Sequence, residues 1–246
     1  MKNKKELSRL NTMKRYLQSY KAGESKLKDI VMLASYITGT PVSFITLMDK
    51  EIQWITTSYG YDVTQMPRST SFCNHTIEQE DVLQVPDATK DERFKENPIV
   101  NATPGAMFYA GVPLKSNEGY NIGTLCVLDI KPNNINDEQK KCLIALSRQI
   151  ANLMELDVSM GLLNNSIEKI EGQNTSLKEI AKIQAHHLRG PLSSAMGVMN
   201  VIKDNEYTAG KETLVMLEKS IHQLDQRICD AVILANKADY SLAATA

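Results

Sequence analysis

The chain has 246 residues, 42% hydrophobic and 23% charged, which suits one large or two modest globular domains. A net charge of −1 gives no electrostatic reason to expect nucleic acid or an anionic membrane as partner. No apolar run approaches the roughly 20 residues needed to span a bilayer. The N-terminal Met1-Lys-Asn-Lys-Lys-Glu lacks the apolar stretch of a signal peptide, so a cytoplasmic location is expected. The four cysteines (Cys73, Cys126, Cys142 and Cys229) are scattered without a CxxC pair, so reduced, mostly buried thiols and no metal site are expected.

In chain order, Leu7, Leu10, Met13 and Leu17 recur at helical spacing. A second helical pattern after Gly23 (Leu27, Ile30, Val31, Leu33, Ala34, Ile37) ends at Gly39-Thr40-Pro41. Residues 42–48 and 52–59, rich in β-branched and aromatic residues, read as a hairpin around Asp49-Lys50-Glu51. Residues 60–67 read as loop, 69–79 as a short helix, 82–85 as a short strand and 91–104 as irregular chain. Two more strands, 107–114 and 120–128, flank a turn at Ser116-Asn-Glu-Gly119. Five or so strands between helices are an α+β pattern.

From Asp137 the texture changes. Asn136 and Gln139 have capping-box spacing. Leu163, Ile167, Ile170, Asn174, Leu177, Ala181 and Gln184 then alternate in steps of four and three, a coiled-coil spacing with some polar seam positions. A helix to about Asp204, a turn at 205–210 and a second helix striped by Leu214, Leu217, Ile221, Leu224, Ile228 and Ala231 complete the pattern. Two such helices cannot bury both faces alone, and pairing with a second copy predicts a dimeric four-helix bundle.

Inside the first of these helices lies Gln184-Ala185-His186-His187-Leu188-Arg189-Gly190-Pro191-Leu192. At about 100° per residue, Gln184, Leu188, Ala195, Met199 and Ile202 share a face. His186 falls roughly opposite that face and His187 at its flank. His186 is therefore the predicted solvent-facing imidazole, able to carry a phosphoryl group on nitrogen. Pro191 removes the N–H that would bond the His187 carbonyl, so a bend is expected beside the site. This segment resembles the dimerisation and phosphotransfer domain of sensor histidine kinases, whose box reads His-(Glu/Asp)-Leu-Arg-x-Pro-Leu with the first His phosphorylated. The resemblance implies His186 as phosphoacceptor, with Arg189 and Pro191 in the same box. His187 stands where the family has an acid that acts as base, a role a neutral imidazole can fill near pH 7. Nothing after residue 192 has the asparagine and glycine-rich boxes of an ATP-binding domain, so no cofactor is expected in this chain. Phosphate is expected from a separate domain or partner kinase, with a response-regulator aspartate as acceptor.

Another group of strings lies upstream: Ser71-Phe-Cys-Asn-His-Thr-Ile77, Val85-Pro-Asp-Ala88, Asp91-Glu-Arg-Phe94 with Asn97-Pro98, Phe108-Tyr-Ala-Gly-Val-Pro-Leu114 and Gly123-Thr-Leu-Cys-Val-Leu-Asp129. In this order they resemble a GAF domain, a small-molecule sensing module. The resemblance implies a ligand pocket, with Trp54, Phe72, His75 and Tyr109 as candidate lining residues and a ligand the sequence does not name. The signature linked to cyclic GMP is absent, Asn74 interrupts the Cys-His pair of bilin-binding members, and Cys73 with His75 is too few ligands for zinc.

Together these readings predict an α+β GAF sensor with an antiparallel sheet of five or six strands over 1–155, and a coiled-coil linker over 156–178. A phosphotransfer hairpin over 179–238 and a tail over 239–246 follow. The expected function is a homodimeric two-component signalling protein. The alternative is a non-catalytic dimer that scaffolds a kinase or regulator. A redox enzyme built on the GAF-like domain would need clustered reactive cysteines, whereas Cys73 and Cys126 are far apart in sequence.

Overall fold

The computed structural model describes residues 2–20 and 27–243. The break expected at Gly23 lies outside the described residues. The chain divides into two compact units, residues 1–164 and 165–246.

The first unit is built on a six-stranded antiparallel sheet in the order β3-β2-β1-β6-β5-β4. Its strands are β1 (Val42–Met48), β2 (Ile52–Tyr59), β3 (Gln65–Pro67), β4 (Leu83–Val85), β5 (Phe108–Lys115) and β6 (Asn121–Asp129). β1 and β2 form the expected hairpin, closed by the Asp49 N–H to Ile52 carbonyl bond of 2.9 Å. β3 lies in the segment expected to be loop: Gln65, Met66 and Pro67 pair with Trp54, Gln53 and Ile52. Three residues ending in proline are too short to register as a period-two pattern, and proline is tolerated there because the strand lies at the sheet edge. The helix expected over 69–79 contracts to one turn, α3 (Cys73–Thr76), preceded by a 3₁₀ turn at Arg68–Thr70.

Alternation along the strands sends side chains to two separate cores. One face buries Ile45, Leu47, Phe108, Ala110, Leu125 and Val127 against α1 (Lys2–Tyr20), α2 (Lys28–Thr38) and the start of α4 (Asp137–Asp204), through Met13, Tyr16, Val31, Ala34, Leu143 and Ile150. α2 ends where expected, with Gly39 in the left-handed region at φ 66°. α4 starts with the expected reciprocal cap: Gln139 N–H donates to Asn136 Oδ1 and Asn136 N–H to Gln139 Oε1, both at 2.9 Å. The other face of the sheet buries Phe44, Met48, Ile55, Tyr109 and Cys126 beneath α3 and the 86–106 segment, which contributes Phe94 and Val100.

An ion-pair cluster fastens α1 to the sheet. Arg9 donates to the Met48 carbonyl (2.7 Å) and to Glu6 (2.8 Å), while Arg68 reaches Glu6 and the Asp49 carbonyl, both at 3.0 Å. The Arg9 hydrogen bond, aided by Arg68 and opposed by burial, holds the Glu6 carboxyl at about 2.

The second unit consists of the rest of α4 and α5 (Lys211–Ala243), joined by a turn in which Tyr207 N–H bonds the Ile202 carbonyl at 2.9 Å. α5 continues through residues 239–243, where a tail was expected. Among the described residues of this unit only Ile202 and Ser220 are buried. Gln184, Leu188, Pro191, Ala195 and Val198 of α4 are half-buried, as are Thr213, Leu217, Leu224 and Ala231 of α5. In α4 these positions, with Ile202, step by four and three, one continuous heptad seam. Leu192, Met196 and Met199 of α4 and Leu214, Ile221 and Ile228 of α5 remain exposed beside it. No helix among the described residues is long and apolar enough to cross a membrane.

Candidate functional sites

Each unit carries one candidate site. In the first unit a cavity of about 470 Å³ opens between the second face of the sheet and the 86–106 segment. Its walls are mostly apolar, from Phe44, Ile55, Val63, Ile99 and Leu128, which suits a small organic ligand. Tyr61, Thr103 and Ile130 are exposed and form its rim.

Of the four expected lining residues, Phe72 and Tyr109 line this cavity and stack face to face, centroids 5.0 Å apart with a 12° interplanar angle. His75 sits behind them, edge-on to Phe94 at 5.0 Å, and does not line the cavity. Trp54 packs with the opposite core, on the helix-covered face. Its position follows from strand alternation: Ile55, its neighbour, is the one that faces the cavity.

The polar part of the wall comes from residues that periodicity did not single out. Gln53, buried in β2, accepts a hydrogen bond from the Ser71 hydroxyl, which in turn accepts the Cys73 N–H at 3.0 Å. Asp129, 3% exposed, ends β6 at the cavity, and its Oδ2 is buried without a hydrogen-bond partner among the described residues. A buried carboxyl oxygen without a donor is costly, so Asp129 Oδ2 has acceptor capacity to offer at the cavity.

Beside them lie Cys73 and Cys126, 53 positions apart in the chain with Sγ atoms 3.7 Å apart. β6 sets Cys126 between Phe44 of β1 and Gly111 of β5, and α3 brings Cys73 above it. The Tyr109 hydroxyl donates to Cys73 Sγ (3.4 Å) and shares a hydrogen bond with Thr76 (2.6 Å). It reaches them by lying over Gly111, where any Cβ would overlap the hydroxyl. Burial pushes the Cys73 thiol up, but hydrogen bonds from Cys126, Thr124, Tyr109 and Ser71 outweigh it and bring it to about 6. Cys126 is held above the ordinary thiol range by its hydrogen bond with Cys73 and by burial. Sequence distance hid this pair, and the packing of α3 on the sheet brings it together.

No family model matches the chain. Over 105 residues it is 43% identical to a cyclic di-GMP phosphodiesterase of Pseudomonas aeruginosa, covering 43% of this chain and 18% of that protein. The chain thus spans less than a fifth of the length of the relative it matches. Among solved structures it is similar to the GAF domain of a phosphoenolpyruvate-protein phosphotransferase from Acinetobacter, with 19% identity and a TM-score of 0.46 over 63% of this chain and 97% of that one. The corresponding GAF domain from Coxiella burnetii gives 14% identity and a TM-score of 0.48 over 64% and 98%. The first unit is a six-stranded antiparallel sheet with helices packed on it.

In the second unit, both histidines of the box are exposed on α4, ring centroids 6.3 Å apart. They differ in what they face. His187, with Gln184 and Leu188, lines a groove of about 390 Å³ whose other wall is Arg227, Asp230, Ala231 and Ile233 of α5. His186 does not line the groove. Arg189 is exposed and Pro191 half-buried on the seam. The helix runs on through Pro191, which has no N–H to offer the His187 carbonyl.

Proposed function

We propose that the chain is a cytoplasmic signal-transduction protein of the two-component type, in which the GAF-like unit is the sensor and the second unit carries His186 as phosphoacceptor. The observation that carries this reading is the setting of His186. It is exposed on α4, away from the groove and the heptad seam, five positions ahead of a proline within the helix. A phosphoacceptor imidazole must be reachable from solvent by a kinase domain and by a regulator's aspartate, and this position is.

The exposed apolar stripes support a homodimer. On each helix they lie roughly 90° round from the intrachain seam, the arrangement in which a second copy completes a four-helix bundle. His186 points to neither face of such a bundle. In the transfer step a ring nitrogen of His186 bonds to the terminal phosphorus of ATP held by a separate kinase domain, the bridging P–O bond breaks, ADP leaves, and the ring N–H proton passes to a base. His187 would act as the base, facing a groove that Asp230 also lines. Pro191 gives the helix a weak point where two bundle conformations can differ, so ligand binding in the sensor can change access to His186. The cavity suits a small, largely apolar ligand with a hydrogen-bond donor for Asp129.

A non-catalytic scaffold dimer is the second reading, favoured by one observation: His187 replaces the acid of the family box. Phosphotransfer separates the two. A chain labelled by a histidine-kinase catalytic domain and ATP should pass its phosphoryl group to a receiver domain's aspartate within minutes. A chain that binds the receiver domain but never takes or passes label is a scaffold.

A further inference from the structure

We propose that Cys73 and Cys126 form a redox-active dithiol in the wall of the sensor cavity, which closes to a disulfide on reaction with a small hydroperoxide. The inference stands on the geometry of the first unit and does not depend on phosphotransfer at His186. The two sulfurs are 3.7 Å apart, in van der Waals contact, and close to about 2.05 Å when a disulfide forms. Both residues line the cavity, so an oxidant small enough to enter meets them although neither is open to bulk water. Tyr109 is fixed over Gly111 with its hydroxyl aimed at Cys73 Sγ, and hydroxyl donors stabilise a thiolate. The low position of Cys73 and the high position of Cys126 agree with the order of events: Cys73 attacks and Cys126 resolves.

The chemistry balances in two steps. The Cys73 thiolate attacks the terminal peroxide oxygen, the O–O bond breaks, and the alkoxide leaves as an alcohol after taking a proton from water. Cys73 is then a sulfenic acid. Cys126 attacks that sulfur, the S–S bond forms, the S–O bond breaks, and hydroxide leaves with the Cys126 proton as water. Two thiols and one hydroperoxide give one disulfide, one alcohol and one water. Cys142 and Cys229 are exposed and lack this setting.

The experiment uses the full chain carrying Cys142→Ser and Cys229→Ser, exposed to hydrogen peroxide or cumene hydroperoxide at neutral pH, blocked with an alkylating agent and mapped by mass spectrometry. The expected product has lost two hydrogens and yields one cross-linked peptide joining Cys73 to Cys126, cleaved by reductant. Adding Cys126→Ser should leave a Cys73 sulfenic acid that dimedone traps, and adding Cys73→Ser should abolish both products. Circular dichroism checks that each variant is folded. If the folded chain with only Cys73 and Cys126 recovers both as free thiols after oxidant, or joins them only between two molecules, the proposal is overturned. That result needs no further variant, so failure of a cysteine variant to fold cannot rescue it.

Discussion

Residues up to 164 bury aromatic and aliphatic side chains on both faces of one sheet, whereas the described side chains from 165 onward leave most of their apolar surface in water. The first unit has its own hydrophobic cores and can hold a site inside them: a cavity with a stacked Phe72–Tyr109 wall, an unpaired Asp129 oxygen and two adjacent thiols. The second unit spends one heptad seam on holding α4 to α5 and has a second apolar stripe left over on each helix. Its site is correspondingly different in kind, an imidazole on an exposed helix surface with no enclosing walls. Under the proposed function, the enclosed site suits a sensor that selects a small molecule, and the exposed imidazole suits a phosphoacceptor that must meet two macromolecules.

The difference can be broken at either unit. The largest effect is expected from Phe108→Ala, which empties a fully buried position on the helix-covered face. It should lower the stability of the first unit by about 3–5 kcal/mol. Trp54 is the only tryptophan and lies in that unit, so urea unfolding followed by its fluorescence reads the loss. An equal shift in the oligomeric state would show that the two units are not independent. Next in size, Ile221→Lys places a charge on the leftover stripe of α5, where Ile221 is 52% exposed in a single chain. Burial of an isoleucine contributes about 1.5–3 kcal/mol, and a two-fold dimer buries it twice. The dimer dissociation constant should therefore rise on the order of 100-fold or more by sedimentation equilibrium, with Trp54 unfolding unchanged. A monomeric parent chain would remove the basis of this prediction.

The smallest effect belongs to Glu6. Its folded carboxyl lies at about 2 against an ordinary 4.5, chiefly through the Arg9 hydrogen bond. The folded state thus favours the charged form. That contribution is fully present above about pH 4.5 and is lost as pH falls towards 2. Glu6→Gln should flatten the acid side of the first unit's stability curve without changing dimerisation. Glu6 is half-buried, with 40% of its side chain open to solvent, so the change will be modest and reduced by salt. A variant whose curve keeps the full acid slope would assign that slope to other carboxylates.

Much of this was legible in the sequence because periodicity and caps are local. The β1–β2 hairpin, the Asn136–Gln139 cap and α4 to Asp204 are short-range patterns. The cavity was less legible because it depends on register. In the β5–β6 hairpin, Lys115 pairs with Asn121 but Leu114 pairs with Gly123, an irregularity of one residue. Without it Gly111 would face Leu125, and Cys126 would point to the helix-covered side. With it Cys126 opposes Gly111 and meets Tyr109 and Cys73. No composition rule reports a bulge of that kind. Trp54 was misplaced for the same reason, since one step along β2 exchanges the two faces.

The central claim is that His186 takes the phosphoryl group, and the direct measurement is the position of that group. The full chain is incubated with ATP and a histidine-kinase catalytic domain, digested at alkaline pH, and fragmented by a method that preserves phosphoramidates. The account predicts an acid-labile phosphoryl group on His186, none on His187, and loss of labelling in His186→Gln. Label on another residue, or equal labelling of the folded His186→Gln variant, would contradict it.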